Sequence, residues 1–340
     1  MKPKDDFKKF FAALKNPKIQ IKLLNTNMDI RYKKQPKLRD LIKDIYSRIY
    51  KTIELVNSEE IDAHNELLSK TQKKRWNRHL IHPLIDQKKI IDTRIVCFGV
   101  GGIGSNILLG LSYSGVSNYK IIDSDTIELS NLNRQTFYNP KHIGESKVKR
   151  AEKTMKLINP DINIKSFDMQ INYPKNIEIL EMDEKDYPEN IKKIDKLIKW
   201  GDYIINAVDY LGSPYLINDL CIKNKKPYYW GVVDSFMGKI FSYYPDKKHA
   251  CLRCLFDSEG IHKDEIYLRY KEFNEDTPKN PNSGIIAINT GVLMANMIIN
   301  NICKINDETS NKFLVFDAMR MQLFKIQMII DNTCLCQKIN

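Results

Sequence analysis

The protein has 340 residues and a mass of 39.8 kDa, and 42% of its residues are hydrophobic and 28% charged. These proportions are typical of a globular chain and exclude disordered, collagen-like and disulfide-stapled proteins. No run of about 18 uninterrupted apolar residues is present and no hydrophobic signal region follows the lysine-rich start, so we expect a cytoplasmic protein without a membrane span. The seven cysteines are an odd number, which favours free thiols or metal ligands over disulfides.

The net charge of +12 is concentrated in the N-terminal part of the chain. Residues 1–92 contain 22 Lys and Arg against 12 Asp and Glu, whereas the remaining residues contain 32 against 30. A nucleic-acid module or an acidic peptide or protein partner would explain such a segment. Lysine-rich coding bias would explain it equally well.

The N-terminal part has the pattern of a small mixed module. Residues 16–34 alternate apolar and polar side chains around an Asn-Thr-Asn break, which predicts a short hairpin. Apolar residues at helical spacing over 38–55 predict an amphipathic helix, and the stretch 58–80 predicts another helical stretch that opens with Ser58 and acidic residues. We therefore predict an α+β module over residues 1–70 and a larger domain over residues 71–340.

A strand, a glycine turn, a helix and a second strand follow one another from residue 93. TRIVCFGV is an apolar run suited to a strand buried on both faces, and GGIGSNILLGLSYSGV and NYKIIDSD complete a βαβ unit. Later strand candidates are INIKSF, YIINAV, PYYWGVV and KIFSYYP, separated by helical stretches. The sequence thus predicts an α/β fold with a Rossmann-like sheet, parallel in its first half and mixed later, flanked by helices.

The glycine turn has the spacing of a nucleotide-binding loop. Gly99, Gly101 and Gly104 fit G-x-G-x-x-G between a strand and a helix, with Gly102 as an additional glycine. Missing side chains let the backbone approach a phosphate, which the positive end of the helix attracts. Asp123 follows the next strand and is placed to accept hydrogen bonds from ribose hydroxyls.

Residues 123–150 distinguish between ATP and NAD as the bound nucleotide. This stretch contains Asn131, Arg134 and Lys147, which a dehydrogenase does not require. A triphosphate, in contrast, needs several amide and cationic donors to hold it and to stabilise the leaving pyrophosphate. The pattern therefore favours ATP over NAD.

The motifs, in this order, resemble the ThiF/MoeB/MccB family, the bacterial relatives of the ubiquitin-activating enzymes. The family pattern is GxGGxGS, D-x-D, SNLxRQ and G-x-x-K, and this chain reads GVGGIGS, DSD, SNLNRQ and GESK. The resemblance extends from about Arg75 to Cys336. It implies that Asp123 binds the ribose, that Asn131 and Arg134 contact the triphosphate, and that Lys147 binds a phosphate.

Two further residues follow from the resemblance alone. IINAVDYLGSPYLIN resembles the family segment with a magnesium-binding aspartate, which would be Asp209. KKRWNRHL resembles the stretch whose second arginine crosses a homodimer interface to the partner's ATP, which would be Arg78. Considered separately, each of the charged residues could equally be a helix cap or a solvated surface group, and it is their joint order that favours the site.

The resemblance implies adenylation of a substrate's C-terminal carboxylate by ATP, with release of pyrophosphate. A carboxylate is already ionised at neutral pH, so the reaction needs no general base. Catalysis would then come from alignment and from charge neutralisation by Mg²⁺, Arg134, Lys147 and Arg78, with Asp209 holding the metal ion.

Four cysteines have the spacing of a metal site. Cys251 and Cys254 form a C-x-x-C pair, and Cys334 and Cys336 a C-x-C pair, so four thiolates could bind one Zn²⁺. Many family members have two C-x-x-C pairs, and the shorter second pair leaves the fourth ligand open. The other cysteines, Cys97, Cys221 and Cys303, lie in apolar patterns and are predicted core residues.

Two substrates remain open within the family. MccB-like enzymes carry an N-terminal module of this size that grips a precursor peptide by strand addition, and the basic segment would suit an acidic peptide. MoeB- and ThiF-like enzymes activate a ubiquitin-fold sulfur-carrier protein. Residues 255–289 contain no cysteine for a covalent intermediate, so we expect the enzyme to stop at the adenylate or to pass it on.

We prefer the peptide hypothesis and keep several alternatives beside it. A tRNA-modifying dehydratase of the same superfamily is a weaker possibility, and otherwise no nucleic-acid partner is expected. A non-catalytic peptide-binding scaffold would be expected to have lost part of the ATP site, which this sequence retains. An NAD oxidoreductase would need a hydride-transfer site that we do not find.

Overall fold

The computed structural model describes residues 58–82, 84–171, 178–208, 212–245, 249–257, 283–305 and 309–339. Within these ranges eight strands form one sheet in the order β3-β2-β1-β4-β5-β6-β7-β8. The strands are β1 Arg94–Phe98, β2 Asn118–Ile122, β3 Asn163–Phe167, β4 Tyr203–Asn206, β5 Tyr228–Asp234, β6 Met237–Tyr243, β7 Lys312–Asp317 and β8 Gln322–Gln327. Neighbours among β1–β5 pair in parallel, and β5–β6, β6–β7 and β7–β8 pair antiparallel. The predicted fold class is therefore confirmed.

Helices cover both faces of this sheet. In chain order they are α1 Ser58–Glu66, α2 Lys70–Arg75, α3 Gln87–Asp92, α4 Gly102–Ser114, α5 Lys147–Ile158, α6 Glu189–Trp200, α7 Gly212–Lys223, α8 Leu252–Asp257 and α9 Gly284–Ile302. The parallel pairs place the carboxyl ends of β1, β2 and β4 at one edge of the sheet. In such sheets ligands bind at this edge.

The central strand β1 contributes to two cores, as its continuous apolar sequence predicts. Ile95 and Cys97 face one cluster, which also contains residues of α4, α5 and α9. Val96 and Phe98 face the other cluster, which contains residues of α6 and α7. Successive side chains of a strand point to opposite faces, so an unbroken apolar run is what a strand between two helical layers requires.

The helix α9 is the one described helix that is long and apolar enough to cross a membrane. Half of its most apolar window is buried in the protein, where it packs on α4, β5 and β6. Its small residues allow this close contact, since a Cβ atom on Gly291 would lie 2.6 Å from the Asn106 Cβ. A buried helix that packs in this way is typical of a protein core.

The described part of the N-terminal region corrects one prediction. The stretch 58–80 forms two short helices, because Ser69 caps α2 by accepting a hydrogen bond from the Gln72 backbone while the Gln72 side chain accepts one from the Ser69 backbone. The predicted hairpin over 16–34 and the helix over 38–55 lie outside the described residues. The domain division at residue 70 remains a prediction.

The strand predictions agree closely with the structure. INIKSF, YIINAV, PYYWGVV and KIFSYYP correspond to β3, β4, β5 and β6, each within two residues at either end. All three predicted core cysteines, Cys97, Cys221 and Cys303, are buried.

We predict that Gly104→Ala destabilises the protein much more than Gly144→Ala. A Cβ atom at position 104 would lie 2.0 Å from the Gly99 carbonyl oxygen, which belongs to the backbone and cannot move alone. Gly144 has open space around it and a positive φ of 87°, so alanine there costs only the left-handed conformation, about 1–2 kcal/mol. Thermal and urea unfolding would measure both losses, and equal losses would contradict this packing.

Candidate functional site

The glycine loop that follows β1 is fixed by backbone contacts. Gly99 has a φ of +89°, and a Cβ atom there would lie 2.6 Å from the Ala207 carbonyl oxygen at the end of β4. A Cβ atom on Gly104, in the first turn of α4, would lie 2.0 Å from the Gly99 carbonyl oxygen. These two glycines therefore allow the loop to pass between β1, β4 and α4.

The other two glycines lie at the start of α4. Gly101 is the N-cap residue, and no side chain caps this helix. A Cβ atom on Gly102 would lie 3.1 Å from the Arg134 Cγ, whereas one on Gly101 would meet only the Gln135 Nε2, at 3.8 Å. The N–H groups of the first turn and the helix dipole make this end of α4 suited to an anion.

Asp123 follows β2 and supports the glycine loop. Its Oδ2 accepts a hydrogen bond of 2.8 Å from the Val100 backbone N–H, and its Oδ1 accepts one of 2.9 Å from the Asp125 backbone N–H. The pKa of Asp123 is raised above its ordinary value, mainly because the carboxyl group is buried. The charge of Lys147 and the two N–H donors lower the pKa and offset this effect only in part. The carboxylate lies next to the loop, as the sequence predicts for a ribose-binding acid.

Lys147 is the first residue of α5, and its side chain lies next to the carboxylates of Asp123 and Asp125. Its Nζ is 2.7 Å from the Asp125 Oδ2, and its side chain is 8% exposed against 65% for Asp125. The Tyr138 hydroxyl donates to the Val100 carbonyl at 2.9 Å and approaches the Lys147 carbonyl at 3.2 Å. A buried ammonium group thus lies beside the glycine loop with an exposed carboxylate as its partner.

Arg134 and Asn131 lie on the loop that connects β2 to α5. The stem of Arg134 packs on Gly102, and its Nη1 donates to the Ser130 carbonyl at 2.8 Å and to the Asn133 Oδ1 at 2.9 Å. Asn131 is buried, and its Oδ1 accepts from the Glu128 backbone N–H at 3.2 Å. The guanidinium group is therefore held by neutral acceptors beside the start of α4.

The remaining predicted site residues are placed differently. Arg78 is exposed and follows the buried Trp76, and no contact within the described residues joins it to the glycine loop. Asp209 lies outside the described residues. The chain reaches it from Val208, whose backbone nitrogen would be 3.0 Å from a Cβ atom on Gly99. The assignments of Arg78 and Asp209 therefore remain predictions.

Three side chains of this site were missed from the sequence as functional candidates. Asp125 pairs with Lys147, and it is the second acid of the D-x-D motif, so the motif itself carried the signal. Asn106 donates to the Gly102 carbonyl at 2.6 Å and to the Arg134 carbonyl at 3.1 Å, which ties the two loops together. For Tyr138 the sequence offers no signal, because its role depends on two distant carbonyl groups.

The four predicted metal ligands form one buried cluster. The ligand atoms of Cys251, Cys254, Cys334 and Cys336 all lie within 4.8 Å of one another. The sulfur–sulfur distances are 3.8 Å for Cys251–Cys254, and 3.7 Å for both Cys251–Cys334 and Cys254–Cys336. Four sulfurs at the usual Zn–S distance of about 2.3 Å lie about 3.8 Å apart in a tetrahedron, so the donor set and its spacing fit Zn²⁺.

A buried ion pair anchors this cluster to α7. Arg253, between the first two cysteines, donates from Nε to the Asp219 Oδ1 at 2.8 Å and from Nη2 to the Glu178 Oε1 at 2.6 Å. Burial raises the pKa of Asp219, and the charge and hydrogen bonds of Arg253 act in the opposite direction. The Leu252 backbone also donates to the Asn218 Oδ1. The turn with the first cysteine pair is therefore held to α7 by side-chain hydrogen bonds.

A sequence profile described as the ThiF family matches residues 76–338. A relative named "Probable molybdopterin-synthase adenylyltransferase" from Porphyra purpurea is 30% identical over 75% of this chain and 60% of its own length. The "Sulfur carrier protein adenylyltransferase" of Thermus thermophilus is 27% identical over 55% of this chain and 65% of its own length. The chain spans about three fifths of the length of the curated relatives that it matches first.

Solved structures of E. coli MccB share the fold. The structure with ATP has a TM-score of 0.61 and the structure with MccA-N7isoASN one of 0.64, both at 22% identity, 77% of this chain and 74% of the other. At this identity the likeness establishes the fold alone. The names of the curated relatives agree with the predicted adenylyltransferase. Since the ThiF profile matches more than three quarters of the residues, the chain belongs to the ThiF family.

Proposed function

We propose that this protein is an adenylyltransferase that activates a C-terminal carboxylate with ATP and releases pyrophosphate. The observation that carries the proposal is the convergence of Lys147, Arg134 and the uncapped start of α4 at the carboxyl ends of β1 and β2. Two cationic side chains and a helix N-terminus match the charge of a triphosphate. The names of the curated relatives support the same reaction.

The arrangement suits in-line attack by a carboxylate on the α-phosphate. The nucleophile is already ionised, so no proton has to be removed. Negative charge builds up on the leaving pyrophosphate, and Lys147 and Arg134 can stabilise it by moving from their present partners, Asp125 and the Ser130 carbonyl. Asp123 lies next to the glycine loop and would accept the ribose hydroxyls.

Magnesium would supply further neutralisation of the phosphate charge when ATP is bound. The exposed Asp125 carboxylate lies within the described site, and Asp209 remains the predicted magnesium ligand.

The proposed homodimer depends on Arg78. This residue is exposed, and Trp76, two residues before it, packs beside Gly115 at the end of α4 opposite the glycine loop. A role in the ATP site of a second copy is consistent with this placement.

The preferred substrate is a precursor peptide. About seventy-five residues precede the match to the ThiF profile, which leaves room for a peptide-binding module, and MccB shares the fold. A ubiquitin-fold carrier protein is the second candidate, because the Thermus thermophilus relative is named for such a substrate. Either substrate would present a C-terminal carboxylate to the same site.

The cysteine cluster is proposed to bind one structural Zn²⁺. All four cysteines are buried in the second core cluster, and two of them belong to the C-terminal segment that follows β8. A metal ion would therefore fix that segment to α7 and α8. This position, among apolar residues, is typical of a structural rather than a catalytic zinc site.

We predict that Lys147→Ala lowers ATP–pyrophosphate exchange roughly tenfold or more while the protein remains folded. The substitution removes an ammonium group that is buried beside the glycine loop. Asp209→Ala is expected to have a similar effect through the metal ion. Exchange would be assayed with a synthetic peptide and with a carrier protein ending in Gly-Gly, and the substrate that supports it identifies the reaction.

Lys149→Ala is the matched control for this experiment. Lys149 lies on the same helix as Lys147 but is exposed, so its removal should leave exchange unchanged. Circular dichroism of each variant would verify the fold. Full exchange activity in the Lys147 variant would remove that residue from the proposed mechanism.

We also predict about one zinc ion per chain in the purified protein, measured by elemental analysis. Cys334→Ser should lose most of the zinc and lower the thermal midpoint, because it removes one of four converging ligands. Cys221→Ser is a control, since that buried cysteine lies outside the cluster and its loss should leave the zinc content unchanged. Less than one zinc per two chains would argue against the site.

A further inference from the structure

The C-terminal cysteine pair lies in a short turn that also contains a glutamine. Cys334 comes directly before the 3₁₀ turn Leu335–Lys338, and Cys336 and Gln337 lie within that turn. The Gln337 backbone N–H donates to the Cys334 carbonyl at 3.0 Å. The Cys334 backbone N–H in turn donates to the Asp331 carbonyl at 3.1 Å. The backbone on both sides of the cysteine pair is thus fixed by hydrogen bonds.

The side chain of Gln337 contacts one of the four sulfurs. Its Nε2 donates to the Cys336 Sγ, and the two atoms are 3.1 Å apart. A thiolate accepts hydrogen bonds and donates none, so the N–H end of the amide is the end that suits it. Cys336 is 3% exposed and Gln337 is half-buried, so little water competes with the amide for this sulfur. The glutamine is therefore a direct partner of the metal-binding cluster.

Two other sulfurs of the cluster accept hydrogen bonds from the backbone. The Asp331 N–H donates to the Cys254 sulfur, and the Cys336 N–H donates to the Cys334 sulfur. The next N–H along the chain, that of Gln337, donates to the Cys334 carbonyl and is not directed at a sulfur. The donor to the Cys336 sulfur therefore comes from a side chain.

Such donors matter because the metal-bound cluster carries excess negative charge. Four thiolates around one Zn²⁺ leave two net negative charges, and the four cysteines lie among apolar residues of the second core cluster. Arg253 lies between two of them in the chain, but its charge is already paired with Asp219 and Glu178. Burying charge is costly, and N–H groups directed at the sulfurs offset that cost.

We propose that Gln337 is a positioning residue of the metal site, whose side-chain N–H donates to the Cys336 thiolate and holds it in place as the fourth ligand. The proposal rests on the structural Zn²⁺ proposed above. With only one residue between Cys334 and Cys336, the glutamine would orient the second thiolate where a longer turn does so in a C-x-x-C pair. Loss of such a hydrogen-bond partner lowers metal affinity roughly 10–100-fold.

The test is the substitution Gln337→Met, which keeps the length of the side chain and removes its N–H donor. The affinity of the purified protein for Zn²⁺, measured by competition with a chromophoric chelator, should fall roughly tenfold or more. In the protein loaded with Co²⁺, the sulfur-to-cobalt charge-transfer band should move to longer wavelength. The reason is that a sulfur without a hydrogen bond gives up its electrons more easily. Loss of packing alone would not move this band.

Two further variants separate hydrogen bonding from shape. Gln337→Glu has the same shape but presents a carboxylate to the thiolate, so it should weaken zinc binding more than Gln337→Met. Gln337→Lys supplies another N–H donor with a charge opposite to that of the cluster, so it should restore most of the affinity. A side chain needed only for packing would give all three variants equal affinities.

Gln327→Met is the matched control. The Gln327 Nε2 donates to the Asn311 carbonyl at 3.2 Å and to the Met328 carbonyl at 3.4 Å, so this amide binds the backbone and not a sulfur. The same substitution therefore removes a similar side chain without touching the proposed contact. Zinc affinity and the position of the cobalt band should both be unchanged.

The outcomes distinguish the role of Gln337 from the zinc site itself. If the unchanged protein binds zinc and Gln337→Met binds it equally tightly, Gln337 does not position a ligand, although the zinc site stands. A loss of affinity with an unmoved cobalt band, or equal losses in the three variants, would make Gln337 a packing residue and would also overturn the proposal. If the unchanged protein binds no zinc, both proposals fail.

Discussion

The contact between the backbones of Gly99, Gly104 and Ala207 is the constraint on which the candidate site depends. It holds the end of β1, the start of α4 and the end of β4 so close together that no side chain fits between them. The start of α4 is thereby directed at the edge of the sheet where Asp123 and Lys147 also lie. The loop can present its N–H groups to a ligand only if the backbones of these residues approach each other this closely. The steric requirement for glycine therefore determines where the ligand binds.

The two faces of the sheet are stabilised by different kinds of contact. On one face α4 and α9 pack closely through small residues such as Gly291. On the other face α7 and the cysteine cluster are joined by the fully hydrogen-bonded Arg253–Asp219 pair. A buried ion pair of this kind is costly to break, since either partner alone would leave a buried charge.

The sequence predicts the sheet and the glycine loop well, because both depend on local pattern. The strands are short apolar runs, and the loop glycines have a fixed spacing between a strand and a helix. The break between α1 and α2 was readable in principle, since Ser69 and Gln72 form a capping box. The Lys147–Asp125 pair depends on residues that the fold brings together, and the sequence did not predict it. The convergence of Cys251 with Cys334 also depends on the fold, but the paired spacing of the cysteines predicted it.

We propose above that the site at the carboxyl ends of β1 and β2 accepts a triphosphate. Calorimetric titration of the purified protein with ATP and Mg²⁺ tests it most directly. We expect saturable binding of about one ATP per chain, with a clear preference for ATP over NAD. No heat beyond that of dilution, or binding of NAD in place of ATP, would contradict it.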